Sequence, residues 1–168
     1  MLLLLKCNLF FAGGVIVSGG TYQLVHAASK MTLDIYGEGA TDDTNVQLST
    51  NYKTDNQLWV IYENGDGTVQ LVNSKYGKAL GVNGDHISDG TNVQLNTGNR
   101  SDPQRWRLIP AGDGLYKLIH ASSGKALDVT GVATSNRRSV EIWSENGRTA
   151  QKWRLVRYYF EGKGVNVV

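Results

Sequence analysis

The sequence predicts an all-β protein in which one 47-residue unit occurs three times and closes around a common axis. Three observations predict it. The triplets Gln57-Leu58-Trp59, Gln104-Arg105-Trp106 and Gln151-Lys152-Trp153 stand 47 residues apart, with no insertion between them. Inside each unit apolar residues recur every second position, as a strand with one buried face requires, rather than at helical spacing. Twenty glycines against two prolines, among many Asn, Asp, Ser and Thr, supply the turns that several short strands need.

The units run over residues 21–67, 68–114 and 115–160. Thr21-Tyr22-Gln23-Leu24-Val25, Thr68-Val69-Gln70-Leu71-Val72 and Leu115-Tyr116-Lys117-Leu118-Ile119 open them as first strands. Leu33, Leu80 and Leu127 mark the second strands, where Gly77-Lys78-Ala79-Leu80 and Gly124-Lys125-Ala126-Leu127 are identical. Val46, Val93 and Val140 mark the third, and each tryptophan of the triplets opens the fourth. Gly65-Asp66-Gly67 and Gly112-Asp113-Gly114 punctuate the junctions. Four strands per unit make about twelve in all. One unit alone could not bury its apolar face, so the three must share a core.

Trp59, Trp106 and Trp153 are expected in that core at equivalent places. Gln57, Gln104 and Gln151 accompany them in every unit, whatever else varies, and are expected to pair with backbone or a neighbouring carboxylate. His26 and His120 share a repeat position with Asn73. An imidazole that an amide can replace is a hydrogen-bonder of a turn, not a base. His86 falls in a Gly/Asp/Ser loop, where solvent should reach it.

Composition narrows the function classes. At 168 residues the chain is one domain with short extensions. A net charge of +2 gives no drive for wholesale nucleic-acid binding. The charge is uneven: residues 1–99 carry five Lys/Arg against nine Asp/Glu, and residues 100–168 twelve against six. A single cysteine, Cys7, excludes an internal disulfide framework, and three scattered histidines give no metal cluster. No cofactor and no metal are expected. Residues 1–19 read as a signal peptide or N-terminal extension, interrupted by Lys6, with Val17 and Gly19 at −3 and −1 of a cleavage before Gly20. That reading predicts a secreted protein with no membrane span and no thiol after cleavage. Residues 161–168 form a tail, preceded by Tyr158-Tyr159-Phe160, which is either a last strand edge or a linker stub.

Three units, each ending in Gln-x-Trp, with segments of the Gly-Lys-Ala-Leu-Asp-Val type, resemble the ricin B-chain-type lectin β-trefoil. The resemblance covers residues 20–157. It implies a β-trefoil with pseudo-three-fold symmetry and a shallow sugar site in each unit that keeps the family pattern. That pattern is an Asp after the second-strand Leu, an aromatic platform, a polar side chain three residues on, and an Asn before the Gln of the triplet. A carboxylate accepts hydrogen bonds from vicinal hydroxyls, and an aromatic face covers the apolar side of a pyranose.

Carried onto this chain, the pattern implies a principal site in the third unit. Asp128 supplies the carboxylate, Trp143 the platform and Asn146 the polar place. Glu141 stands where the family often has Gln, and Ala150 where it has Asn. Trp143 has Ser49 and Asn96 as counterparts, so the fold does not demand an aromatic there. The first unit retains Asp34, Gln47 and Asn56, with Tyr52 as a substitute for the missing platform at Ser49. The second unit has Gly81, Asn96 and Pro103 at the three places and reads as structural. Arg137 and Arg138, between the strands of Asp128 and Trp143, would favour an acidic or sulfated glycan.

The function expected is a carbohydrate-binding lectin domain with no catalysis of its own. Its partners would be galactose-type or xylose-type glycans, on glycoproteins or polysaccharides. Two alternatives stay open: a binding module cut from a larger glycoside hydrolase, tied to a catalytic domain in a longer chain, or a protein-binding β-trefoil of the inhibitor kind. No Gly-x-Ser-x-Gly elbow is present, and the carboxylates recur at repeat-equivalent turns rather than as one facing pair.

Overall fold

The computed structural model describes residues 8–11, 14–131 and 136–160. Cys7 and the first part of the expected leader lie outside the described residues, as does the tail 161–168. Two strands come first, β1 (Asn8–Phe11) and β2 (Gly14–Val17), paired antiparallel. The repeated part follows as twelve strands in one sheet. The first unit holds β3 (Gly20–His26), β4 (Thr32–Ile35), β5 (Val46–Ser49) and β6 (Trp59–Glu63). The second holds β7 (Val69–Asn73), β8 (Lys78–Val82), β9 (Thr91–Thr97) and β10 (Trp106–Pro110). The third holds β11 (Tyr116–His120), β12 (Ala126–Val129), β13 (Arg138–Trp143) and β14 (Trp153–Arg157).

First and fourth strands close a six-stranded barrel. Pairing runs β3 to β6, β6 to β7, β7 to β10, β10 to β11, β11 to β14 and β14 back to β3. Closure leaves no open barrel edge. Second and third strands form three hairpins: β4–β5, β8–β9 and β12–β13. The hairpins also pair with one another around the axis, through Asn45 with Gln94, Asn92 with Glu141, and Ser139 with Gln47. This is the β-trefoil predicted from the sequence, with its twelve strands in the repeated part.

The core is the shared inner face of barrel and hairpins. Trp59, Trp106 and Trp153 are wholly buried, and each indole N–H donates to the carbonyl of Leu33, Leu80 or Leu127, at 3.1, 3.0 and 3.2 Å. Their polar atom is thus satisfied inside an apolar cluster, as burial of an indole requires. Ile16 of β2 packs against the same cluster, and the Val17 amide donates to the Tyr22 hydroxyl. At the other end the Tyr158 amide donates to the Thr21 carbonyl, extending the β14 edge by one residue.

The histidines do turn work, as their exchange with Asn73 predicts. His26 Nε2 meets the Ala150 carbonyl at 3.2 Å and His120 Nε2 the Asp102 carbonyl at 3.1 Å. Asn73 Nδ2 donates to the Asp55 and Leu58 carbonyls in the same place. Each group ties a first strand to the short 3-10 turn before the preceding unit's tryptophan. Burial holds both imidazoles below their ordinary pKa, with the carbonyls working in the opposite direction.

Candidate functional site

A two-residue period puts Asp128 and Ala126 of β12 on one hairpin face, opposite Glu141 and Trp143 of β13. Asp128 is buried, and its Oδ2 accepts the Gln151 amide at 2.8 Å while its Oδ1 accepts the Val129 N–H at 2.6 Å. Gln151 also donates to the Ser144 carbonyl and accepts the Asn146 N–H, so one side chain fixes both the carboxylate and the loop beside it. Trp143 ends β13 with 42% of its surface exposed. Glu141 is held above the ordinary carboxylate pKa, first by burial and then by the charges of Asp128 and Asp89. Asn146 reaches the site less freely than the sequence suggests. Its Oδ1 accepts the Arg148 N–H at 2.9 Å, as Asn99 does for Ser101 in the second unit.

The first unit repeats the scaffold. Gln57 Nε2 donates to Asp34 Oδ2 at 2.6 Å and to the Thr50 carbonyl, and Gln57 Oε1 accepts the amides of Tyr52 and Lys53. Burial pushes the Asp34 carboxyl above its usual range, and the Gln57 amide offsets part of that. Gln47 stands opposite Asp34 on β5. Asn56 spends its amide on the Gly37 carbonyl at 2.9 Å and so braces the loop after Asp34. A cavity of about 410 Å³ opens here, lined among others by Asp34, Gln47, Tyr52 and Asn56. Tyr36 lines it too, 56% exposed, beside Tyr52 at 61%. Sequence reasoning missed Tyr36, because the repeats carry Asn83 and Thr130 at its place.

The second unit lacks the carboxylate at Gly81, and Gln104 turns instead to accept from Gln70 at 2.9 Å. A side chain at Gly81 would stand 3.2 Å from Gln104 Cγ. A carboxylate nevertheless reaches this face. Asp43, from the first unit, accepts the Gln94 amide at 2.6 Å and lines a cavity of about 300 Å³ with Asn96 and Asn99.

Asp43 belongs to a set. Asp43, Gly90 and Arg137 are 47 residues apart, all at positive φ (67°, 85° and 67°). Their amides donate to Leu95, Ile142 and Leu48, each in a neighbouring unit. A single position in each unit therefore reaches the next hairpin's outer face. Asp43 meets the second, Gly90 lies beside Glu141 and Trp143 of the third, and Arg137 lines the first-unit cavity. Arg137, which the sequence places between the strands of Asp128 and Trp143, therefore lies at the first-unit face. The turn before β13 faces β5, through the pair Arg138 and Leu48.

Among the described residues, no group of three or more His, Cys, Asp or Glu side chains is placed to hold a metal ion. No helix among them is long and apolar enough to cross a membrane. The arrangement is one of shallow, polar faces with one aromatic side chain exposed on the third.

Comparison with known proteins converges on the same architecture. The ricin-type β-trefoil lectin domain matches residues 20–153. A designed three-fold symmetric protein, ThreeFoil, is 42% identical with a TM-score of 0.79, over 82% of this chain and 98% of its own. An exo-β-1,3-galactanase from Clostridium thermocellum is 30% identical with a TM-score of 0.80, over 83% of this chain; this chain spans only 30% of that enzyme. The Macrolepiota procera ricin B-like lectin, solved with lactose, shares the fold at 23% identity and a TM-score of 0.73, over 85% of this chain and 99% of its own. A comparison with curated protein sequences finds no match. With its three Gln-x-Trp tryptophans at equivalent places in a closed trefoil, the chain belongs to the ricin-type β-trefoil lectin family.

Proposed function

We propose that the chain binds carbohydrate without transforming it, chiefly on the outer face of the β12–β13 hairpin. Trp143 carries this reading. It is an exposed indole on the same face as a carboxylate already oriented by Gln151, at a repeat position where Ser49 and Asn96 suffice for the fold. Asp128 and Glu141 would accept from sugar hydroxyls, Trp143 would cover the C–H face, and the Asn146 amide would donate. Asp34, Gln47, Tyr52 and Asn56 would form a second site. Galactose-type or xylose-type sugars suit both.

Glycosidase action needs two carboxylates on opposite sides of a bound sugar. Asp128 and Glu141 are cross-strand neighbours on one face, which suits joint acceptance from one ligand. A shallow site with one platform supports affinity near 1 mM, about −4 kcal/mol. Useful retention would then come from several sites or from tethering. Secretion would suit a binder of extracellular glycans. The galactanase likeness favours a second reading, a binding module attached to a glycoside hydrolase, which leaves the sugar-binding chemistry unchanged.

The test is a glycan array probed with the chain and with Trp143→Ala. We expect one sugar class retained by the first and reduced at least tenfold in the second. Equal binding by both would move the site to Asp34 and Asn56. No binding by either folded protein would refute carbohydrate recognition and favour a protein partner.

A further inference from the structure

We propose that the first-unit cavity selects sugars bearing an anionic group, a carboxylate or a sulfate ester, and that Arg137 from the third unit is the residue that selects them. The inference rests on the carbohydrate reading and names the substrate class of its second site.

Three equivalent positions set the charge around each hairpin face, and they differ between the two faces. Around the third-unit face stand Glu141, Asp89 and Gly90. Around the first-unit face the same places hold Gln47, Asn136 and Arg137, and all three line the cavity. Two carboxylates become amides and a glycine becomes a cation. The third-unit face is thus the more acidic of the two, even with Asp89 paired to Lys125, while the first keeps only the carboxylate of Asp34 at the place of Asp128 and gains a cation.

Arg137 is also held for the task. Its amide donates to the Leu48 carbonyl at 2.7 Å, and Asn136 Oδ1 accepts both the amide and the hydroxyl of Thr50 at 2.8 Å. Its backbone is left-handed, at φ 67°, where the equivalent Gly90 is unstrained. The equivalent Asp43 shares that φ of 67°, so the turn itself fixes where Arg137 stands, and glycine is the relaxed residue there. Among the described residues no carboxylate pairs with Arg137. A guanidinium fork matches the planar oxygens of a carboxylate or two oxygens of a sulfate. Tyr36 and Tyr52, exposed on the same cavity, offer ring faces to the sugar itself. The acids here, Asp34 and Glu38, would take hydroxyls away from the anionic substituent.

Matched ligands test this on the full chain carrying Trp143→Ala, which silences the third-unit site. Galacturonate and galactose 6-sulfate are compared with galactose, and glucuronosyl-xylose with xylobiose, by titration calorimetry at two salt concentrations. We expect an anionic member to bind at least tenfold more tightly than its neutral partner, with the advantage shrinking as salt rises. The member preferred separates a carboxylate source from a sulfate source. Arg137→Gly should abolish the preference while leaving the melting temperature unchanged or higher, which a structural arginine would not do. Equal binding of both members, or a preference that survives Arg137→Gly, overturns the inference while neutral-sugar binding by the unmutated chain leaves the carbohydrate reading intact. Failure of the unmutated chain to bind any member removes both.

Discussion

Glu141 is a single residue set against the fold, at the sugar site proposed above. It faces Asp128 directly across β12 and β13, and like charges opposite one another weaken a strand pair. The equivalent positions, Gln47 and Gln94, are amides, so the register accepts the neutral side chain. With its pKa raised above the ordinary 4.5, Glu141 binds its proton more tightly folded than unfolded. Stability should therefore be greatest while the group is protonated, and fall as pH rises from about 4.5 towards the folded value. Glu141→Gln is expected to stabilise the chain at pH 7 by a few tenths of a kcal/mol to about 1 kcal/mol. The gain should fade in urea titrations as pH falls through the folded value and be gone by about 4.5. A gain that stays constant into acid would contradict a charge origin. Arg137 is the companion case, where left-handed backbone costs a non-glycine residue roughly 1–2 kcal/mol.

At the scale of elements, the three hairpins are joined by seams that look alike in backbone and differ in chemistry. Lys78 pairs with Asp42 at 2.6 Å across one seam, and Lys125 with Asp89 at 2.6 Å across the next. The third seam has Met31 and Asn136 at these places and is closed by Asn136 and Thr50. A partly exposed ion pair contributes only about 0–1 kcal/mol. Copying the neutral seam, as Lys125→Met with Asp89→Asn, should cost less than about 1 kcal/mol and reduce the salt dependence of unfolding. A loss of several kcal/mol would show that the Asp89 bonds to Ser144 hold the hairpin. These seams also mark where sequence reading stops. The strands, the buried tryptophans and the work of Gln57 and Gln151 were legible, because burial imposes a period of two and repetition shows which residues the frame needs. Asp43 and Arg137 were not, since both act across a seam on residues far away in the chain. In sequence Arg137 stands between the strands of Asp128 and Trp143, and only the fold brings it to the first-unit cavity. Tyr36 was hidden for another reason, having no aromatic counterpart in the other units to mark its place.

At the scale of the molecule, a near-symmetric frame carries three faces that are not equivalent. One barrel and one ring of hairpins fix the position of every face to the same geometry, so side chains at a few repeated places can vary without disturbing the core. Asp128, Glu141 and Trp143 make an acidic face with an indole; Asp34, Tyr36, Tyr52 and Arg137 make a mixed one; Asp43, Asn96 and Asn99 make a polar one. The four tryptophans divide along the same line. Trp59, Trp106 and Trp153 hold their indole N–H groups on core carbonyls, while Trp143 stands at the surface. The most direct measurement uses that division: the indole N–H signals of the labelled protein are followed by NMR during titration with lactose and with xylobiose. Saturable movement of the Trp143 signal by one of the two sugars, with the other three unmoved, is the result predicted. A Trp143 signal that stays fixed through both titrations would contradict a sugar site on the third-unit face.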